Sequence, residues 1–250
     1  MTDLWWLVAN LFVAHLFGDF FLQCNGFCDK KREENCRGWR VYVHSLVIGL
    51  LSWAVVWDTG AWWLALLLGC SHLVVDVAKS AVEKRMIGKG NERYLLVPFC
   101  IDQLVHLALI VVFASLWLKC NVWKDFSWVI CNAKLLAFAA ALVVASKPSN
   151  ILINLILRIC KVSGPEGEAL EGEHGNFHSG ALIGTLERWL TIIFVVMSQY
   201  EAIGFLLAAK SILRFSETSK GDEKSEYVLT GTLLSLMIAV GLGLMVARIR

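Results

Sequence analysis

The segment AWWLALLLGCSHLVVDVAKS, residues 61–80, decides the fold of this chain. Its mostly apolar run is about twenty residues long, the length that an α-helix needs to cross the hydrocarbon core of a bilayer. The segment also carries His72 and Asp76, which are four residues apart and therefore lie on one face of the helix. Ionisable side chains are expensive inside a membrane and mark a functional site by default. The segment thus predicts a transmembrane helix and a candidate site within it.

The composition of the whole chain is typical of a membrane protein. Of its 250 residues, 57% are hydrophobic and only 18% are charged, and the mean hydropathy is +0.62. Soluble domains have about 25% charged residues. We therefore expect an all-α, polytopic transmembrane helical bundle, formed by residues 1–250 as a single integral membrane domain. The net charge of +2 is no sign of a nucleic-acid partner, and we expect none.

Apolar runs predict about eight spans, with seven to nine compatible with the pattern. The predicted segments are 4–22, 41–57, 61–80, 98–118, 128–146, 180–199, 202–215 and 227–247. A further apolar piece, 151–159, follows the sequence Lys147-Pro148-Ser149-Asn150 and is too short to span. We expect the fifth span to end at that sequence and the short piece to be a re-entrant or interfacial helix.

The distribution of lysine and arginine orients the predicted bundle. The loops 23–40 and 81–97 are basic, which by the positive-inside rule places them in the cytoplasm and the N-terminus outside. The acidic, Gly-rich loop 162–179 falls on the same cytoplasmic side. It contains His174 and His178, whose spacing suits metal ligands, although a solvated loop is the simpler interpretation.

Two more spans repeat the pairing of histidine and aspartate four residues apart. His15 precedes Asp19 in the first span, whereas Asp102 precedes His106 in the fourth, which runs in the opposite direction. A reversed order on a reversed helix gives the same arrangement in space. At 1.5 Å per residue, each histidine lies roughly 10–12 Å from the cytoplasmic end of its helix. His44, near the start of the second span, approaches the same level.

Imidazole and carboxylate groups at one depth are typical ligands of a divalent metal, with zinc or manganese the best matches. The predicted ligands of one or two ions are His15, Asp19, His44, His72, Asp76, Asp102 and His106. Some of the aspartates would instead orient a histidine without touching the metal. Two other interpretations remain open at this point. The same residues suit a proton or cation relay in a transporter, or a polar network that only locks the helices together.

Further polar residues on the predicted cytoplasmic side suit binding of an anionic substrate and proton transfer. Asp76 and Glu187 are candidates for the catalytic base. The candidate substrate-binding residues are Lys79, Lys147, Asn150 and Arg188. For each of them a structural role is the alternative, such as a lysine that extends to the interface or a helix that simply stops.

The combination of motifs resembles a known family. The motifs are His15-Leu-Phe-Gly-Asp19-Phe-Phe-Leu-Gln23, Ser71-His72-x-x-x-Asp76-x-x-Lys79, Asp102-Gln103-x-x-His106, Lys147-Pro-Ser-Asn150 and Gly180-x-x-Ile-Gly184-x-Leu-Glu187-Arg188, together with His44. They are similar to those of DUF3307, an uncharacterised bacterial inner-membrane family, over most of the chain. The resemblance implies a location in the bacterial inner membrane and brings no established activity. A looser similarity, confined to the first four helices, is to the membrane-bound metal-dependent hydrolases and implies metal-assisted hydrolysis.

We therefore expect a metal-dependent hydrolase that acts from the cytoplasmic side on a phosphate- or ester-containing substrate. The substrate is a membrane lipid or a small molecule, and the oligomeric state is left open. The alternatives are a cation- or proton-coupled transporter that uses the same cluster, and a non-catalytic membrane scaffold. The almost wholly apolar outer halves of the first four helices disfavour a path across the membrane.

Overall fold

The computed structural model describes residues 2–23, 30–31, 34, 38–56, 62–90, 94–120, 133–160, 179–215 and 222–249. All the regular secondary structure within these ranges is helical, which confirms the all-α prediction. The chain divides into two compact units, Met1–Asn132 and Ala133–Arg250. Both histidines of the loop 162–179 lie outside the described residues, as does the rest of that loop except residue 179. Most of the loop 23–40 also lies outside them.

The first unit is built on four long helices, each of which follows an apolar run of the sequence. They are α1 (Thr2–Phe20), α2 (Trp39–Val56), α3 (Trp62–Ile87) and α4 (Leu96–Cys120). Helices α1 and α3 each pack against both α2 and α4, so the four form a closed ring. The predicted loop 81–97 begins late, because α3 continues to Ile87.

Two glycines let α2 and α3 pack with their backbones in contact. A Cβ added at Gly69 would lie 3.1 Å from the carbonyl oxygen of Ser45, and one added at Gly49 would lie 3.2 Å from that of Ala65. Backbone atoms cannot move aside as a flexible side chain can. Small residues of this kind are what helices in a membrane use to approach closely.

The interior of this ring is apolar toward one end and polar toward the other. The buried apolar residues form one cluster, which is Leu7, Val8, Leu11, Val56, Leu64, Leu68, Ile110, Ala114 and Trp117. One turn further along the helices, Leu11 is followed by His15 and Leu68 by His72, while His106 precedes Ile110. The polar residues singled out in the sequence therefore share the interior of one end of the unit.

The second unit contains five helices in its described residues: α5 (Ala133–Val144), α6 (Lys147–Ile159), α7 (Ser179–Val196), α8 (Tyr200–Phe215) and α9 (Asp222–Arg248). Helix α9 packs against α5, α6 and α7, and α8 packs against α7. Helices α5 and α6 are bent by 45° relative to one another. They correspond to the predicted fifth span and to the short apolar piece that follows it.

The break between α5 and α6 lies earlier than the sequence predicted. Helix α5 ends at Val144, and Lys147–Asn150 forms the first turn of α6 instead of irregular backbone. Pro148 is well placed in that turn, because the first N–H groups of a helix have no partner within the helix in any case. The proline therefore starts a helix here rather than ending one.

Within the described parts of the chain, four helices are long and apolar enough to cross a membrane. They cover Trp39–Val56, Trp62–Ile87, Leu96–Leu118 and Tyr227–Arg248, and the bent pair α5–α6 would bring the number to five. Helix α1 is apolar but shorter, with Leu4–Phe20 as its apolar part. These helices are consistent with a multi-pass membrane protein, whereas the predicted eight spans are not confirmed. The orientation of the N-terminus stays a prediction.

Candidate metal centre

Four histidines, one from each helix of the first unit, lie together in its interior. The ring centroid of His72 lies 4.7 Å from that of His44, 4.4 Å from that of His106 and 5.4 Å from that of His15. The rings of His15 and His106 are stacked at 4.6 Å. All four side chains are buried. The structure therefore brings together the imidazoles that the depth argument placed at one level.

The carboxylate of Asp19 lies among three of these rings. Its Oδ1 is 2.9 Å from Nε2 of His44 and 3.4 Å from Nε2 of His72, and its Oδ2 is 3.6 Å from Nε2 of His15. The two Nε2 atoms of His44 and His72 are themselves 2.8 Å apart. Asp19 is thus the carboxylate at the centre of the cluster.

These distances resemble the spacing of ligands around one metal ion. Tetrahedral zinc with bonds of about 2.0–2.2 Å has ligand atoms roughly 3.3–3.6 Å apart. Two groups of residues bring one ligand atom each to within 4.8 Å of one another: His15, Asp19 and His72, and His44, His72 and Asp76. His72 belongs to both groups. The donor set and its spacing therefore fit one divalent ion, or two ions that share His72.

Several ring nitrogens in the cluster have no hydrogen-bond partner among the described residues. Nδ1 of His106 lies 2.8 Å from the carbonyl oxygen of Asp102 and must donate to it, so the neutral ring presents Nε2 as an acceptor. That Nε2 is buried and has no hydrogen-bond partner, and the same holds for Nε2 of His15 and Nδ1 of His72. Buried polar atoms are rarely left unpaired. Such atoms suit a bound ion or water.

A cavity of about 10 Å³ adjoins the cluster, large enough for about one water molecule. His15, His72 and His106 line one part of it, with the hydroxyl-bearing Ser52 and Ser71 nearby. The remaining wall is apolar and consists of Ile48, Leu68, Leu109 and Ile110. A molecule of the size of water therefore fits beside the imidazoles.

The other two predicted carboxylates are paired with lysines. Asp76 Oδ2 lies 2.8 Å from Nζ of Lys31, which also donates to Oε1 of Gln23 at 3.1 Å. Asp102 Oδ2 lies 2.8 Å from Nζ of Lys79. Lys79, predicted to bind substrate, is thus an ion-pair partner of Asp102 here. Both pairs lower the capacity of these carboxylates to act as metal ligands.

Gln23 and Lys31 are two residues of the site that the sequence predictions did not include. The side-chain amide of Gln23 lies within 2.6 Å of the His44 ring and connects it to Lys31. The motif from His15 to Gln23 contained a signal for the glutamine, since a polar residue ends an otherwise apolar stretch. Lys31 carried no such signal, because it is one of several cations in a basic loop.

The remaining candidate residues belong to the second unit. Arg188 is buried and donates from Nη2 to Oδ1 of Asn150. Glu187 forms an ion pair with Lys210. Lys147 is half-buried in the first turn of α6. The structure thus brings Asn150 and Arg188 together, while Glu187 is engaged by a lysine.

Comparison with known proteins identifies one matching family model. Residues 7–133, just over half of the chain, match the family described as "Protein of unknown function (DUF3307)". The matched segment contains all the predicted metal ligands. The motifs at Lys147–Asn150 and Gly180–Arg188, which the sequence assigned to the same family, lie outside it. No curated protein and no solved structure matches. The looser likeness to metal-dependent hydrolases stays a prediction.

Proposed function

Because the chain belongs to DUF3307, a family of unknown function, we propose its function from the site itself: metal-dependent hydrolysis of a phosphate- or ester-containing substrate within the membrane. The position of Asp19 is the main observation that supports this proposal. Its carboxylate lies within 3.6 Å of imidazole nitrogens from three different helices and, among the described residues, has no lysine as an ion-pair partner. A buried anion that faces several neutral imidazoles is the environment that a divalent cation requires.

In this proposal the ligands of a single ion are His15, Asp19 and His72. These three residues would hold the ion and leave it able to bind a water molecule, as the three protein ligands of catalytic zinc sites do. The cavity lined by His15, His72 and His106 offers room for that water. His44, which contacts both Asp19 and His72, either completes the site or belongs to a second ion with Asp76. Zinc and manganese remain the best matches to these donors.

The chemistry supplied by the bound metal is a water molecule acidic enough to ionise near neutral pH. His106 is the residue best placed to accept its proton, since its unpartnered Nε2 belongs to a ring that lines the cavity. Asp76 and Glu187, the bases expected from the sequence, are each paired with a lysine. We therefore assign the role of general base to His106.

A membrane lipid is the substrate class that best fits the surroundings of the site. The helices that carry the histidines expose apolar side chains outward, among them Leu46 of α2, Val74 of α3 and Leu104 of α4. Molecules dissolved in the bilayer thus have direct access to the ring of helices.

Hydrolysis by the purified protein tests the proposal. The detergent-solubilised protein is stripped with a chelator and assayed with p-nitrophenyl phosphate and p-nitrophenyl butyrate, before and after addition of Zn²⁺ or Mn²⁺. We expect metal to restore hydrolysis of one substrate class in the wild type and in Ser115→Ala, a matched control on α4 whose hydroxyl bonds only within its own helix. His72→Ala should remain inactive. Hydrolysis that survives both chelation and His72→Ala would contradict the proposal.

A cation transporter that uses the same cluster is less well supported. One turn from His72 and His106, Leu68 and Ile110 already belong to the buried apolar cluster. A transported ion needs polar groups along its whole path. Metal-ion flux into proteoliposomes separates the two functions, because the hydrolase predicts none.

A further inference from the structure

The guanidinium of Arg188 is the centre of a buried polar network in the second unit. The side chain is 2% exposed. Nε donates to the carbonyl oxygen of Ala145 and Nη1 to Oγ of Ser235, while Nη2 donates to Oδ1 of Asn150 and to Oγ1 of Thr185. These contacts engage four of the five N–H groups of an arginine and leave one on Nη1.

Part of this network provides hydrogen-bond donors for the carbonyl groups at the break between α5 and α6. Carbonyl groups freed at a helix end need new partners, since each unsatisfied group is costly where water is excluded. Ser149 donates to the carbonyl of Val144, Trp189 to that of Leu142 and Arg188 to that of Ala145. The carbonyl groups at the break therefore have hydrogen-bond donors. A neutral donor would serve them as well as a charged one.

Among the described residues, no carboxylate forms an ion pair with the guanidinium of Arg188. All four described partners of Arg188 are neutral oxygen atoms. The adjacent carboxylate, Glu187, is bound by Lys210 instead. A buried cation without an opposite charge is strongly unfavourable. The hydrogen bonds explain why a donor stands at this position, but they do not explain a permanent charge.

We propose that Arg188, together with Asn150, Thr185 and Ser235, forms a binding site for a phosphate group in the second unit. A phosphate oxygen bound to the remaining N–H of Nη1 would neutralise the guanidinium through a charge-assisted hydrogen bond. The hydroxyl group of Ser235 accepts a hydrogen bond from Nη1 and can donate its own hydrogen to a further phosphate oxygen. The proposal of a phosphate site does not depend on the proposed hydrolase activity.

Gly184 lies beside Nη1 of Arg188 and has no side chain to cover it. A Cβ added at Gly184 would lie 3.4 Å from Nη1 of Arg188, so a larger side chain at this position would cover it. Gly184 is half-buried, and its neighbours Leu182 and Ile183 on α7 are exposed. The approach thus leads from the surface of α7 to the charged group. The phosphate belongs either to a lipid headgroup or to a soluble molecule.

Native mass spectrometry of the purified full-length protein tests this site, with inorganic phosphate added in one arm and phosphatidylglycerol in the other. We expect the wild type to bind at least one of the two probes. Arg188→Gln should lower the affinity by about tenfold or more, because it removes a hydrogen bond to a charged group. Arg158→Gln makes the same change at a half-buried arginine of α6 and should leave binding unchanged.

A second variant separates loss of binding from loss of folding. Gly184→Val covers Nη1 without removing the guanidinium or its described hydrogen bonds, and should also lower the affinity about tenfold. Binding in the phosphate arm alone identifies a soluble ligand, and binding in the lipid arm alone identifies a headgroup. The proposal is wrong if the wild type binds neither probe, or if Gly184→Val binds as the wild type does.

Discussion

Replacing Lys31 by methionine removes a positive charge from the edge of the candidate metal centre and keeps most of the side-chain length. Nζ of Lys31 lies 2.8 Å from Oδ2 of Asp76, a member of one of the two candidate ligand groups. The ammonium group thus takes up the charge of a carboxylate that would otherwise attract the metal. We predict that Lys31→Met binds Zn²⁺ more tightly than the wild type.

The size of the expected effect depends on the interactions that Lys31 loses when a metal ion binds to Asp76. An ion about 2 Å from an Asp76 oxygen would lie roughly 4–5 Å from Nζ if Lys31 stayed in place. At an effective dielectric constant of about 20, a divalent ion and an ammonium group at that distance repel by roughly 7 kcal/mol. Movement of the Lys31 side chain away from the ion limits the cost to its lost hydrogen bonds, about 1.5–3 kcal/mol. This corresponds to roughly 10- to 100-fold tighter binding in the variant.

Competition with a fluorescent zinc chelator measures this affinity in detergent. Lys30→Met is the matched control, since Lys30 is the exposed neighbour of Lys31 and loses the same charge. It should bind zinc as the wild type does. Equal affinities for Lys31→Met and Lys30→Met would refute the reasoning, because the ion pair with Asp76 would then have no influence on the metal.

Three further variants test the packing and the ion pairs. Gly69→Ala should destabilise the first unit by about 1–3 kcal/mol, because the added Cβ meets the backbone oxygen of Ser45. A thermal melt in detergent measures this change. A melting curve that matches that of the wild type would exclude the close packing of α2 and α3. Ser149→Ala should cost about 1–3 kcal/mol by leaving the last carbonyl of α5 without its hydroxyl partner, which the same melt detects. Asp102→Asn should lower the free energy of unfolding by about 1.5–3 kcal/mol in the wild type but by much less in a Lys79→Met background. Additive effects in this double-mutant cycle would show that Asp102 and Lys79 are not coupled.

The helices of the first unit and the meeting of their histidines could be predicted from the sequence. Apolar runs gave the helices, because a membrane imposes a length on them. The i, i+4 spacing of His15 and Asp19 on one helix, and the reversed order of Asp102 and His106 on another, fixed the faces and the depth. These signals are regular and local, so no knowledge of the packing was needed.

The pairing of the carboxylates could not be predicted in the same way. Lys31 reaches Asp76 across 45 residues of sequence, and nothing in the pattern of the basic segment 23–40 indicates which of its lysines makes that contact. The pattern also could not decide which aspartate stays free of lysine. That distinction makes Asp19, rather than Asp76 or Asp102, the central carboxylate.

The second unit shows a different limit. Pro148 suggested the end of a helix, yet it stands in the first turn of α6, where a proline is equally well tolerated. The hydropathy of residues 180–199 and 202–215 predicted spans, whereas the helices there are not among those long and apolar enough to cross. A proline and an apolar run each allow two structures, and tertiary contacts decide between them.

The metal content of the purified protein tests the central claim most directly. Wild type, Asp19→Asn and Ser115→Ala are purified in detergent after growth with added zinc and manganese, and their metal content is measured by elemental mass spectrometry. We predict about one or two equivalents of a divalent metal in the wild type and in Ser115→Ala, and less than about a tenth of that in Asp19→Asn, which keeps the shape of the side chain but removes the charge. A wild type without metal, or an Asp19→Asn variant with as much metal as the wild type, would contradict the account.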